Sequence, residues 1–238
     1  METYLFDGSL EGFLTLIFDW YARNPGPIRI QTGTSAPGKV HVVRRDAEKA
    51  QRVASGLRQR LSAAGWRAFC CTFLSELSES PVHLFGYALY VFSEVPGAEK
   101  NYSHDDVLYV RQIASRIERE MHQTEAHVRF QQSGDGVLYA TVNPRFNVLP
   151  LLARHFSGRY AHHTWIIYDI RRNYGLYYDK KSVKLFRLEP AGEGGARTEA
   201  FTAIWQTYLG NRSFQGSLAV KNLPQRFWSY LAEMQEEA

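Results

Sequence analysis

The stretch Val148-Leu-Pro-Leu-Leu-Ala-Arg-His-Phe-Ser-Gly-Arg-Tyr160, followed by Thr164-Trp-Ile-Ile-Tyr-Asp-Ile-Arg-Arg172, predicts a helix that packs against a β-strand. The apolar positions of the first segment recur at helical spacing and form one broad arc. His155 and Arg159 fall inside this arc, one turn apart. A buried arginine needs an anionic or hydrogen-bonding partner, and Asp169 on the next strand is the candidate. Arg159 and Asp169 therefore form either a buried structural pair or, with His155, a functional site.

Alternating polar and apolar residues on either side of this helix predict an antiparallel sheet. The segments His127–Gln132 and Val137–Asn143, joined by Ser133-Gly-Asp-Gly136, indicate a β-hairpin. Further strands are predicted near residues 164–171, 174–179 and 182–188. With the helix across one face, the other face is expected to be free, and it would carry His127, Arg129, Gln131, Tyr139, Thr141 and Asn143. Such a face suits a nucleic acid, and it also suits plain solvation.

The chain before residue 125 has mainly helical periodicity. It predicts a short strand at Tyr4, a helix capped by Ser9, and further helices near residues 46–64, 82–92 and 104–122. Brief strands are predicted at 28–31 and 39–43. The expected class is α+β, with a mainly helical subdomain over 1–125 and an antiparallel α+β subdomain over 126–238, together forming a single compact unit. A last helix at 199–209 and an aromatic-rich segment at 211–230 complete the prediction.

Positive charge is concentrated between Lys39 and Arg67. This segment holds eight basic side chains and only two acidic ones, within a chain of net charge +4. Helical spacing places Lys49, Arg52 and Arg60 on one flank of the predicted second helix. A local excess of this kind suits a phosphate backbone, and it equally suits a solvated helix face.

Few residues match a known catalytic or metal-binding motif. Glu118 and His122, at i and i+4 of a predicted helix, form either an acid/base dyad or a surface contact. The adjacent Cys70 and Cys71 are expected to be buried thiols, because neighbouring cysteines rarely form a structural bridge. The sequence has no histidine or carboxylate spacing typical of a metal site, so we predict no metal and no cofactor. Without a long apolar run or a signal peptide, the protein is expected in the cytoplasm, away from membranes.

Several segments, in matching order over nearly the whole chain, carry a family resemblance. They are Tyr4-Leu-Phe-Asp-Gly-Ser-Leu-Glu-Gly-Phe-Leu14, Glu120-Met-His122 with Val128-Arg-Phe130, Asn147-Val-Leu-Pro-Leu-Leu-Ala-Arg-His-Phe156, Arg159, the strand Trp165–Asp169 with Arg171 and Arg172, and Leu223-Pro-Gln-Arg-Phe-Trp228. The chain resembles the bacterial "probable DNA metabolism protein" family. That resemblance implies a role beside a radical S-adenosylmethionine protein of DNA modification or repair, and some members are fused to a uracil-DNA glycosylase domain. Ala126 replaces an expected glycine, and the chain lacks a CxxxCxxC motif, so the partner would supply the iron–sulfur cluster.

Three functional hypotheses follow. The first is a DNA-binding accessory protein, whose candidate contacts are Lys49, Arg52, Arg60, Arg129, Arg159, Arg171 and Arg172. The second is an enzyme that processes nucleic acid, whose candidate catalytic residues are His155, His122, Glu118 and Asp169, with Arg159 holding phosphate. The third is an adaptor that docks the radical enzyme through the C-terminal aromatic residues. The first and third are compatible, and we expect both.

Overall fold

A computed structural model describes residues 1–93, 97–134 and 136–187, and it confirms the α+β class. The described residues form two compact units, which divide between Glu118 and Arg119 inside one long helix. Within the part of the chain that is described, no helix is both long and apolar enough to cross a membrane. The predicted helix at 199–209 and the aromatic-rich segment at 211–230 lie outside the described residues.

The first unit combines a small parallel sheet with a group of helices. Its elements are β1 (Glu2–Phe6), α1 (Leu10–Arg23), β2 (Ile28–Thr32), β3 (Val40–Val42), α2 (Ala47–Arg60), α3 (Ala63–Phe73), α4 (Ser80–Phe92), a 3₁₀ turn (Ala98–Lys100) and the first part of α5 (Asp105–His127). The strand order is β2-β1-β3, and β1 is parallel to both neighbours. Because α1 carries the chain back across the sheet after β1, β2 can pair with β1 in parallel.

Side-chain caps set the starts of three helices in this unit. Ser9 and Asp46 cap α1 and α2 as predicted. The predicted continuous helix over 46–64 is wrong, because α2 ends at Arg60 and a new helix begins after Ser62. The Ser62 hydroxyl accepts a hydrogen bond from the Gly65 N–H, which satisfies a backbone donor that α3 itself leaves unpaired.

The second unit is built around a five-stranded sheet. It contains the end of α5, β4 (Gln131–Gln132), β5 (Leu138–Val142), α6 (Leu149–Arg159), β6 (Trp165–Asp169), β7 (Tyr174–Tyr178) and β8 (Val183–Phe186), in the strand order β4-β5-β6-β7-β8. The expected antiparallel pairing is found for three of the four strand pairs. It is wrong for β5 and β6, which are parallel. The crossover through α6 returns the chain before β6 starts, so the two strands run in the same direction.

Both faces of this sheet are covered at its centre. On one face Trp165 stacks on Tyr178 and contacts Phe156 of α6. On the other face Ile166, Tyr168 and Phe186 are all at most 3% exposed. The expectation of a free, polar second face is therefore wrong at the centre of the sheet. A strand that is buried on both sides carries apolar residues at every position, and β6 does so up to Asp169.

Candidate functional site

Asp169 lies at the end of β6 and is fully buried. Its carboxylate accepts hydrogen bonds from the backbone N–H groups of Arg171 and Arg172, at 2.9 and 3.1 Å, and from Arg172 Nη1 at 2.9 Å. The Arg172 guanidinium also donates to the carbonyl oxygens of Pro144 and Arg145. The carboxylate is therefore hydrogen-bonded to residues of the turn that joins β6 to β7. Asp169 and Arg172 thus have the contacts of a structural pair.

The predicted partnership of Asp169 with Arg159 is wrong. Arg159 is the last residue of α6 and is exposed, and among the described residues it makes no ion pair. Arg172 takes its place because Asn173 adopts a left-handed backbone (φ 57°), which closes a tight turn and returns Arg172 towards Asp169. The helical arc that contained Arg159 ends at Phe156, so the last turn of α6 reaches solvent.

His155 and His122 are brought together by a residue that the sequence analysis missed. Glu125 of α5 places one carboxylate oxygen 3.1 Å from His122 Nδ1 and the other 3.8 Å from His155 Nδ1. The Glu125 side chain is only 14% exposed, whereas His122 is 69% exposed and His155 is 36% exposed. We call these three residues the His122–Glu125–His155 cluster. Its sequence signal was the i, i+3 spacing of His122 and Glu125 on one helix.

Glu118 belongs to a different set of contacts. Its carboxylate accepts a hydrogen bond from Arg67 Nε at 3.1 Å, within the first unit. The partner of His122 in the second unit is Glu125. The predicted pairing of Glu118 with His122 is therefore wrong, because each of the two side chains has a nearer partner of the complementary kind.

A second histidine–carboxylate cluster lies in the first unit. His83 Nδ1 is 2.8 Å from one oxygen of Asp106, and His104 Nδ1 is 4.0 Å from the other. The two imidazole rings lie flat on the rings of Tyr109 and Tyr90. One face of each imidazole is therefore covered by protein, and the surrounding chain over residues 97–106 is acidic. Both properties disfavour contact with a polyanion here.

The cations of α2 have partners inside the first unit. Lys49 Nζ lies 2.8 Å from Asp19 Oδ1, and this hydrogen bond raises the pKa of Lys49. The guanidinium groups of Arg52 and Arg60 lie over the rings of Phe18 and Phe92. Over residues 1–118 the sequence holds thirteen basic and thirteen acidic side chains, so this part of the chain has no net charge.

The net positive charge of the chain comes from residues 119–187. This range holds eleven Lys and Arg residues and five Asp and Glu residues, a net charge of +6. Ten of the eleven cations are exposed, and the exception is Arg172. Arg129 is exposed and donates to two backbone carbonyl oxygens, Arg159 is exposed at the end of α6, and Arg171 is exposed in the turn after β6.

The described acidic residues of this unit are all engaged by the unit itself. Glu120 accepts hydrogen bonds from the backbone N–H groups of Arg145 and Phe146. Glu125 and Asp169 have the partners given above. Asp179 accepts from Lys184 and from the N–H of Ser182, and these bonds hold its pKa well below its ordinary value. The surface that remains is therefore predominantly cationic.

This chain belongs to the family described as a domain of unknown function, DUF4130, whose model matches residues 78–233. The matched range contains the whole second unit as described above, including the His122–Glu125–His155 cluster. The comparison with proteins of curated function gives no match to the chain.

Proposed function

We propose that this protein binds nucleic acid as an accessory protein of DNA metabolism, through the cationic surface of residues 119–187. The observation that supports this most strongly is the imbalance of exposed charge. Ten cations are exposed, whereas the unit has four described carboxylates, one of which, Asp179, pairs with the exposed Lys184. A net excess of surface cations releases counterions when it meets a phosphate backbone, and that release drives binding.

The individual contacts of the proposal are Arg129, Arg159 and Arg171, which are exposed. Arg172 supports the turn and is better suited to holding Arg171 in place than to meeting phosphate. Arg52 and Arg60 lie outside this range and are weaker candidates, because their guanidinium groups lie on aromatic rings. Lys49 contributes least, since Asp19 neutralises it.

The resemblance to the "probable DNA metabolism protein" family supports the choice of DNA and of a radical S-adenosylmethionine enzyme as partner. In this proposal the partner carries the cofactor and the accessory protein presents the strand. Co-expression with the radical enzyme followed by size-exclusion chromatography tests the pairing. Separate elution of the two proteins at micromolar concentration would remove the partner from the proposal.

Titration of fluorescently labelled single- and double-stranded DNA, at several salt concentrations, tests the binding itself. We expect the logarithm of the affinity to fall linearly with the logarithm of the salt concentration. The absence of binding at low salt, or an affinity that does not change with salt, would contradict the proposal.

A second candidate is an enzyme that processes nucleic acid. It is favoured by one observation, the His122–Glu125–His155 cluster beside the exposed Arg159. Asp169 and Glu118 take no part in this candidate, because the first is buried under Arg172 and the second is bonded to Arg67.

A further inference from the structure

The His122–Glu125–His155 cluster has a geometry that prepares two imidazole rings for proton transfer. Each histidine directs Nδ1 towards a different oxygen of the same carboxylate. When Nδ1 carries the proton that faces Glu125, Nε2 of the neutral ring keeps its lone pair. At 3.1 Å the hydrogen bond with Glu125 sets the tautomer of His122, whereas His155 Nδ1, at 3.8 Å from the other oxygen, lies at ion-pair distance. Neither contact uses an Nε2 atom, so both Nε2 atoms stay available for chemistry.

The exposure of the three side chains fits this division of roles. Glu125 is mostly covered, so an approaching phosphate meets the imidazole rings before it meets the carboxylate. Both rings are accessible, and His122 is the more exposed. His122 is far more exposed than His83 and His104, whose rings are stacked on tyrosines. His155 is about as exposed as those two, but its ring meets Phe156 edge to face and is not stacked.

Arg159 follows His155 by one turn of α6, which places the two side chains on the same face of the helix. A guanidinium at that position can hold the non-bridging oxygens of a phosphodiester next to the imidazole.

We propose that His122 and His155 form an acid/base pair that cleaves a nucleic-acid strand at a 2′-hydroxyl, such as a ribonucleotide embedded in DNA. This inference rests on the proposed nucleic-acid binding. One imidazole takes the proton of the 2′-hydroxyl as its oxygen attacks the adjacent phosphorus. The other ring acts as an imidazolium ion, with a proton on both nitrogens, and gives its Nε2 proton to the departing 5′-oxygen as the P–O5′ bond breaks. Proton exchange with water then returns both rings to their starting forms. The products are a 2′,3′-cyclic phosphate and a 5′-hydroxyl, and no other reactant is consumed.

The 2′-hydroxyl is central to the substrate assignment. Two imidazoles supply one proton acceptor and one proton donor, and an internal hydroxyl supplies a nucleophile already held next to phosphorus. An all-deoxy strand lacks that nucleophile. Glu125 acts as a positioning residue, since it touches the histidines and not the reacting atoms.

The test uses the full chain and three labelled DNA oligonucleotides of one sequence. One carries a single ribonucleotide, one carries a 2′-O-methyl group at that position, and one is all-deoxy. We expect cleavage of the first alone, with a cyclic-phosphate end identified by mass spectrometry. Cleavage of the all-deoxy strand would overturn the assignment of the nucleophile.

Variants separate the chemistry from the binding. His122→Ala and His155→Ala should each lower the cleavage rate about 100-fold or more, at unchanged Tm, while His162→Ala, an exposed histidine beyond α6, should match the wild type. Glu125→Gln should lower kcat without raising KM, and Arg159→Gln should raise KM. Equal cleavage by the two histidine variants and the wild type would overturn the proposal.

Binding of the 2′-O-methyl strand is measured in parallel. Binding without cleavage of the ribonucleotide strand would overturn this inference and leave the proposed function in place. If the protein binds none of the three strands, the proposed function itself is overturned.

Discussion

Replacing Asp169 by asparagine distinguishes a structural pair from a functional site. Asp169 is fully buried, and the Arg172 side chain beside it is only 11% exposed. The asparagine side chain can still accept from the backbone N–H groups of Arg171 and Arg172, but it loses the charge that offsets the guanidinium. Removing one partner of a buried ion pair costs several kcal/mol, because the other charge stays buried without compensation. With the two backbone hydrogen bonds kept, we expect a loss near the lower end, about 3 kcal/mol, which lowers Tm by about 6–12 °C in a chain of this size.

Thermal and urea denaturation followed by circular dichroism measure this loss, and DNA affinity is measured at a temperature where the variant is folded. Arg171→Gln is the matched control for stability, since its side chain is exposed, and it should change the free energy of unfolding by less than about 0.5 kcal/mol. A double-mutant cycle with Arg172→Met should show strong coupling to Asp169→Asn. A variant Asp169→Asn that keeps the wild-type Tm while losing nucleic-acid binding or cleavage would refute the structural interpretation.

Three further predictions concern packing, capping and thiol reactivity. Gly175→Ala should destabilise the protein by about 1–3 kcal/mol in urea denaturation, because a Cβ at this position would lie 2.5 Å from the Phe186 ring. An unchanged urea midpoint would contradict the packing of β7 against β8. Asp46→Ala should cost about 1 kcal/mol, because its side chain accepts from the N–H groups of Glu48 and Lys49, and Asp46→Asn should recover most of that loss. Burial raises the pKa of Cys71 to about 12, so the thiol stays protonated at neutral pH and should react with a thiol reagent only as fast as the protein opens. Rapid reaction of the folded protein at pH 8 would instead show that the thiol is accessible.

The helices could be predicted from the sequence because local signals define them. Ser9 and Asp46 are capping residues followed by apolar positions at helical spacing, and the structure confirms both helix starts. Ser62 is an equally good cap, but the apolar spacing continues past Arg60, so periodicity alone did not reveal the break. The parallel pairing of β5 and β6 was also beyond local signals, since it depends on where the crossover through α6 returns the chain.

The candidate site was predicted in part. The sequence marks both His155 and His122 as candidates, but it predicts the wrong carboxylate for His122 and none for His155. The choice of partner depends on contacts between distant segments. Glu125 reaches His155 across thirty positions of the chain, and Arg172 reaches Asp169 through a tight turn that only the backbone conformation of Asn173 reveals. Helical spacing predicts which face of a helix a residue lies on, but it does not predict which residue of a neighbouring element contacts it.

The salt dependence of DNA binding tests the central claim most directly, because it counts the phosphate contacts made by each part of the chain. The double variant Arg159→Gln, Arg171→Gln should bind more weakly, with a slope of log affinity against log salt that is reduced by about 2. Lys49→Gln should leave the slope unchanged, since Asp19 already neutralises Lys49. The opposite result would be a slope that is reduced in Lys49→Gln and unchanged in the double variant. That result would contradict the assignment of nucleic-acid binding to residues 119–187.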